Sequence, residues 1–256
     1  MILLYDGTFE GFLSLIFECY EQRIEPTEIG ANNLFQVTMF AETRTIATNK
    51  VHADRVWDAW QQKLSWQLDQ LPFMAFLSGE SGIEMQLFRF AQLSFNSKTP
   101  IEGNYADEHV LAIRQAARRV SHEAMRMIEL VRFQLTRDGI YFSAISPRYD
   151  VLPMLLKHFK DRFADQQWLL YDLKRDYGFY YNLRKTEEVM LNEPTFNRSD
   201  GTLQESALHE GEVNYQRLWK NYCEHITIME RLNLKCQKNH MPRRYWKYLT
   251  EKRTKG

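Results

Sequence analysis

VRFQLTRDGIYFSAISPRYDVLPMLLKHFKDRFADQQWLLYDLKRDYGFYYNL, residues 131–183, is the stretch whose reading decides the fold. VRFQL and IYFSAI flank the Arg137–Gly139 turn and predict a β-hairpin. Pro147 and Asp150 open a helix over Val151–Phe163. QWLLYDL and YGFYYNL, separated by Lys174–Asp176, predict a second hairpin. The order is β-β-α-β-β, read as an antiparallel sheet with a helix on one face, so the fold class is α+β.

Upstream, the spacing predicts one long helix over Asp107–Val131. Asp107 is placed to cap its first turn, with Glu108 opposing the positive end of the helix dipole. Val110, Ile113, Ala117, Val120, Ala124, Met127 or Ile128, and Val131 form its core stripe. Asn96–Asn104, with Pro100 and Gly103, is a linker. Residues 1–96 read as mainly helical: a short buried strand in MILLYD, helices over Phe9–Tyr20, Val51–Leu64, Gln67–Leu77 and Ile83–Phe95, and a second strand over Arg44–Thr48. Pro26 and the Gly30–Asn33 stretch close the first unit. Downstream, polar Asn192–Gly211 reads as a mobile loop. Glu212–Thr227 reads as a helix that leads into a helical basic tail, all within one globular domain over 1–256.

Thirty-three Lys and Arg balance 33 Asp and Glu over the 256 residues, but they are unevenly placed. Residues 231–256 hold nine bases and one acid, so an acidic body carries a basic tail. Gly and Pro total only 18 residues, which excludes a disordered or collagen-like chain. No apolar run is long enough to span a bilayer, and MILLYDGTFEG has no basic leader region, so no membrane association is expected. The three cysteines (Cys19, Cys223, Cys236) form no CxxC and imply a reducing cytoplasm. Sixteen Phe, 13 Tyr and 6 Trp are enough rings for a core, an interface or a base-stacking surface.

There is no P-loop, GxGxxG, HExxH or GxSxG, and no cofactor is implied. Cys223, His225, Cys236 and His240 have no familiar zinc spacing, so no metal site is expected. Ser121-His122-Glu123 lie about 100° apart on a helix and cannot converge as a triad. Arg114, Arg118, His122 and Arg126, each four apart, form a row that would track phosphates; with Glu108, Glu123 and Glu129 on the same helix, the row also reads as an ordinary solvated face. Asp172 at a strand end suits either a water-orienting acid or an ion-pair partner for a nearby Arg. In the tail, Met241-Pro242-Arg243-Arg244-Tyr245-Trp246-Lys247-Tyr248-Leu249 interleaves bases with rings. Its Arg and Lys would neutralise phosphates while Tyr or Trp stacks on bases. In the plainer reading, Tyr245, Trp246 and Leu249 dock on the body and the charges face water.

Several stretches together carry a resemblance. They are Tyr5-Asp6-Gly7-Thr8-Phe9-Glu10-Gly11, Arg114–Glu123 with Arg126-Met127, Val131-Arg132-Phe133, His158-Phe159, Arg162-Phe163, Asp172, Tyr177-Gly178, Tyr215-Gln216-x-Leu218-Trp219, Arg231-x-Asn233, and Met241–Trp246. The chain resembles, over nearly its whole length, a bacterial family of DNA-metabolism and DNA-repair proteins of unknown activity. That family is encoded beside a DNA-repair radical SAM protein with helix-hairpin-helix motifs, and a similar domain occurs fused to uracil-DNA-glycosylase-like modules. The acidic Ile128-Glu129-Leu130 departs from the expected pattern. The resemblance implies a setting and a radical SAM partner, but no catalytic residues.

The leading expectation is therefore an accessory DNA-binding protein. Arg243, Arg244 and Lys247 would hold phosphates, Tyr245 or Trp246 would pack or stack, and Arg119, His122, Arg126 and Arg132 would line a second patch. One alternative is a base-excision or nucleotide-processing enzyme using His122, Glu123 or Asp172. The other is a subunit whose basic tail meets only an acidic protein.

Overall fold

The structure is a computed structural model that describes residues 1–32, 42–192 and 194–253; Asn33 and parts of the 192–211 and 231–256 stretches read above lie outside them. It is a mixed α and β chain that divides into two compact units, Met1–Ser121 and His122–Gly256.

The first unit is built on a three-stranded parallel sheet in the order β2-β1-β3, from β1 (Ile2–Tyr5), β2 (Glu28–Ala31) and β3 (Thr43–Thr45). Parallel neighbours need a crossover, and α1 (Phe9–Gln22) supplies the one from β1 to β2. Thr8 caps α1, its hydroxyl accepting from the Gly11 N–H at 2.9 Å. Asp6 braces the same turn by accepting from Thr8 N–H (2.9 Å), Thr8 Oγ1 (2.7 Å) and Thr48 Oγ1 (2.5 Å). Position 11 must be glycine, because a Cβ there would stand 2.2 Å from Asp6 Oδ1. Helices α2 (Lys50–Gln61), α3 (Leu71–Phe76) and α4 (Ile83–Asn96) follow. With α1 and the first half of α5 (Glu108–Leu130) they enclose a core of Leu3, Phe12, Trp60, Phe88, Phe90 and Ile113.

The boundary between the units falls within α5. Asp107 caps this helix through the His109 and Val110 N–H groups (2.9 and 3.1 Å). Its stripe is buried as the periodicity predicts, and at the ambiguous position Met127 is the buried residue.

In the second unit a five-stranded sheet runs β4-β5-β6-β7-β8, from β4 (Gln134–Leu135), β5 (Tyr141–Ile145), β6 (Trp168–Asp172), β7 (Tyr177–Tyr181) and β8 (Thr186–Val189). The α+β class holds, but the expectation of a wholly antiparallel unit is corrected. β5 and β6 pair in parallel, Tyr141 opposite Trp168 and Ile145 opposite Asp172, while the other three pairs are antiparallel. The reason is the connection: α6 (Leu152–Arg162) carries the chain back along the sheet, so β6 starts at the same end as β5. The segment 194–211 makes isolated bridges and one short 3₁₀ turn. It buries Phe196 and Leu203 against Phe142, Ala144 and Tyr171. Then come α7 (Glu212–His225), α8 (Leu234–His240) and a 3₁₀ helix over Arg243–Tyr248. Among the described residues no helix is long and apolar enough to cross a membrane.

Candidate nucleic-acid interface

A large cleft of the second unit, about 900 Å³, is assembled from five separate stretches. Arg132 and Phe133 follow α5, Leu135 and Tyr141 come from the first hairpin, and Arg162 and Phe163 end α6. His209, Glu212, Tyr215, Gln216 and Trp219 arrive with α7, and Thr250 closes the rim. Five aromatic rings and two guanidinium groups thus line one concavity.

Each wall is fixed by identifiable bonds. Glu212 sits buried in the first turn of α7, where the helix dipole favours its charge. Its carboxylate accepts from the Leu135 N–H (3.1 Å) and from Gln216 Nε2 (2.9 Å), tying α7 to β4. His209 Nδ1 accepts from the Gly211 N–H at 3.1 Å, which puts the proton of a neutral ring on Nε2. Phe133 meets Phe159 and Phe163 edge-on at 5.5 and 5.4 Å, and the Arg162 guanidinium stands 5.9 Å from the Phe163 ring centre.

Arg132 is the pivot of the opposite wall. It donates to Glu251 Oε1 (2.8 Å) and to the carbonyls of Glu129 (2.9 Å) and Val131 (3.1 Å), and its guanidinium lies 5.7 Å from the Trp219 ring centre. Trp219 Nε1 donates to the other Glu251 oxygen at 2.9 Å. Burial alone would raise the Glu251 carboxyl, but the hydrogen bonds from Arg132 and Trp219 outweigh it and hold the group below the usual glutamate range. Trp219 also stacks on Tyr222, with ring centres 5.7 Å apart and planes 28° apart. Arg132, Trp219 and Tyr222 therefore form a ladder of flat groups.

The basic tail divides between the two readings of its sequence. Tyr245 and Leu249 are fully buried, and Trp246 is partly covered with its N–H donated to Met241 O at 2.8 Å. The Tyr245 hydroxyl donates to Glu123; burial, followed by that negative neighbour, pushes the phenol above its ordinary value. Arg244 reaches the same carboxylate at 3.3 Å, and Lys247 donates to Ser199 O at 2.7 Å. Arg243 is exposed beside the Trp246 ring and makes no ion pair among the described residues. One part of the tail thus docks on its own unit, while Arg243, Lys247 and the outer part of Arg244 face outward.

The other residues singled out from sequence are dispersed. Arg119 belongs to the first unit and pairs with Glu80 through Nε (2.9 Å) and Nη2 (2.5 Å). His122 is exposed. Buried Glu123 accepts from Arg126 (3.2 Å), Arg244, Tyr245 and the Arg148 N–H (2.9 Å). Asp172 is fully buried and held by Arg175 Nη1 at 2.7 Å and the Lys174 N–H at 2.8 Å. Burial raises its carboxyl, and Arg175 opposes the rise. His122, Glu123 and Asp172 share no hydrogen bond and line none of the clefts described, whereas Arg132 does stand in the large one. Among the described residues no three His, Cys, Asp or Glu side chains are grouped to hold a metal ion.

The residues that sequence reasoning did not name as a site are Tyr141, Phe163, Arg162, His209, Glu212, Tyr215 and Trp219. The available signal was local: Arg-Phe occurs at both 132–133 and 162–163, and Glu212, Tyr215, Gln216 and Trp219 share one face of α7.

A family model described as a domain of unknown function, DUF4130, matches residues 81–251. The chain belongs to the DUF4130 family. The DUF4130 match takes in α4, α5 and every residue that lines the large cleft, and leaves β1 to α3 outside it. No curated protein and no solved structure matches the chain.

Proposed function

We propose that this chain binds DNA, unpaired strands above all, through the cleft of its second unit, as a non-catalytic accessory of DNA repair or DNA metabolism. The observation that carries the reading is the convergence of Phe133, Tyr141, Phe163, Tyr215 and Trp219 with Arg132 and Arg162 around one concavity of about 900 Å³. Aromatic faces accept any base by stacking, at roughly 1–3 kcal/mol per base, and Arg162, exposed and in no ion pair among the described residues, can neutralise a phosphate that comes with it. A concave site reaches a base only once that base has left its stack, which favours single strands or extruded nucleotides over intact duplex. Arg243 and Lys247 add outward-facing charge elsewhere on the same unit.

The repair setting, the cytoplasmic location and a radical SAM partner are carried over from the sequence resemblance and cysteine usage. The enzymatic alternative has less support, because Glu123 and Asp172 spend their oxygens on internal donors.

Fluorescence anisotropy of a short labelled single strand tests the proposal. Affinity should fall linearly on a log–log plot against salt. Arg162→Ala should reduce the slope by about one. Tyr215→Ala, at an exposed ring, should weaken binding roughly tenfold or more. A flat salt response, or unchanged affinity in both variants, would overturn the reading.

A further inference from the structure

The arginine row that the sequence places on α5 divides by partner. Arg126 pairs with Glu123 at 3.2 Å, whereas Arg114 and Arg118 line a cavity of about 390 Å³ within the first unit. The rest of its wall is mainly aliphatic: Leu68, Leu71 and Met74 from the stretch that enters α3, with Leu111 and Ala117 from α5. Leu111 and Tyr105 remain 38 and 54 % exposed, so apolar surface is left open there. A volume of this size lies at the small end of the range for ligand pockets, roughly 300–1,000 Å³.

Charge and shape together narrow the occupant. No carboxylate lines the cavity, and neither guanidinium is in an ion pair among the described residues. Side chains four apart on a helix are neighbours, so these two like charges repel each other. Arg114 is steered by a neutral group, donating from Nη2 to the Tyr105 hydroxyl at 2.6 Å, with its guanidinium 5.3 Å from that ring's centre. Glu102 is close enough for Arg114 to feel its charge, but it is buried, accepts from the Ser65 N–H at 2.8 Å and does not line the cavity. Arg118 is exposed and has no such neighbour in the wall. One negative head group therefore balances the site, and the guanidinium fork matches the two oxygens of a carboxylate. The body that goes with it is aliphatic. The only ring in the wall is Tyr105, which already holds Arg114, whereas the cleft of the second unit is lined by five rings.

We propose that this cavity binds a small aliphatic carboxylate. Its chain lies on Leu68, Leu71, Met74 and Leu111, and its head group is held by Arg118 with Arg114 beside it. Nothing in this depends on DNA binding by the second unit.

Isothermal titration calorimetry of the full chain with octanoate, decanoate and decanol is the test. Decanoate should bind saturably at one site, and octanoate, two methylenes shorter, roughly tenfold more weakly. Arg118→Gln, at an exposed side chain, should keep the wild-type circular dichroism and thermal midpoint. It should weaken decanoate roughly tenfold and leave decanol unchanged, while Leu111→Gln should weaken both. Arg162→Ala, in the cleft of the second unit, should bind decanoate as the wild type does. No saturable decanoate binding, undiminished binding by folded Arg118→Gln, or binding lost in Arg162→Ala would overturn the proposal.

Discussion

The two units are of similar length yet use their residues in opposite ways. Met1–Ser121 holds 10 bases and 15 acids, and it spends its rings on a core in which Phe12, Trp60, Phe88 and Phe90 see no solvent. His122–Gly256 holds 23 bases and 18 acids, and it arranges Phe133, Tyr215 and Trp219 around an open cleft. Buried rings contribute stability and carry no information to a ligand, while rings left on a concave basic surface can act on one. On this contrast the first unit reads as a scaffold, and the proposed DNA binding falls to the second.

The contrast can be broken by mutation. The largest effect should come from Trp60→Ala, which removes a fully buried indole and its hydrogen bond to Ser94 Oγ (3.3 Å). Denaturant unfolding should show a loss of about 3–5 kcal/mol, with DNA affinity per folded molecule unchanged. A cost below about 1 kcal/mol would remove the scaffold assignment.

Glu123→Gln is next. Neutralising a buried carboxylate that faces Arg126 and Arg244 should cost roughly 3 kcal/mol by the same measurement. Near-ultraviolet circular dichroism should report the tail rings loosening. Wild-type stability in this variant would mean that the tail does not lean on α5.

The smallest effect should be a pH dependence at Glu251. Its folded pKa lies below the unfolded value, so the stability it contributes is complete above the ordinary glutamate range. That stability is lost as pH falls through the lower folded value. Thermal midpoints of wild type and Glu251→Gln should therefore differ near neutrality and converge in acid. A gap that persists in acid would place the effect of Glu251 in packing instead of charge.

Much of the fold was legible because its signals are local. Thr8 and Asp107 cap helices whose apolar stripes repeat at helical spacing, and the two turns at Arg137–Gly139 and Lys174–Asp176 separate β-rich runs. Two strands escaped for physical reasons. β8 reads TEEV, charged as an edge strand tends to be, and β2 reads EIGA, whose Gly30 resembles a turn signal. The tail was legible as an alternative between docking and display, and the structure distributes its residues between the two.

The sequence by itself determined most of the elements, the caps at Thr8 and Asp107, the α+β class and the uneven charge, because each depends on neighbours a few positions away. Only the tertiary structure decided that β5 and β6 run parallel, since that follows from where α6 delivers the chain. It alone decided the cleft. Arg132 and Glu251 lie 119 positions apart, and the cleft's walls come from residues 132–250, so no local pattern could have announced that they meet. Side chains distant in sequence are brought together by packing, and packing is a property of the whole unit.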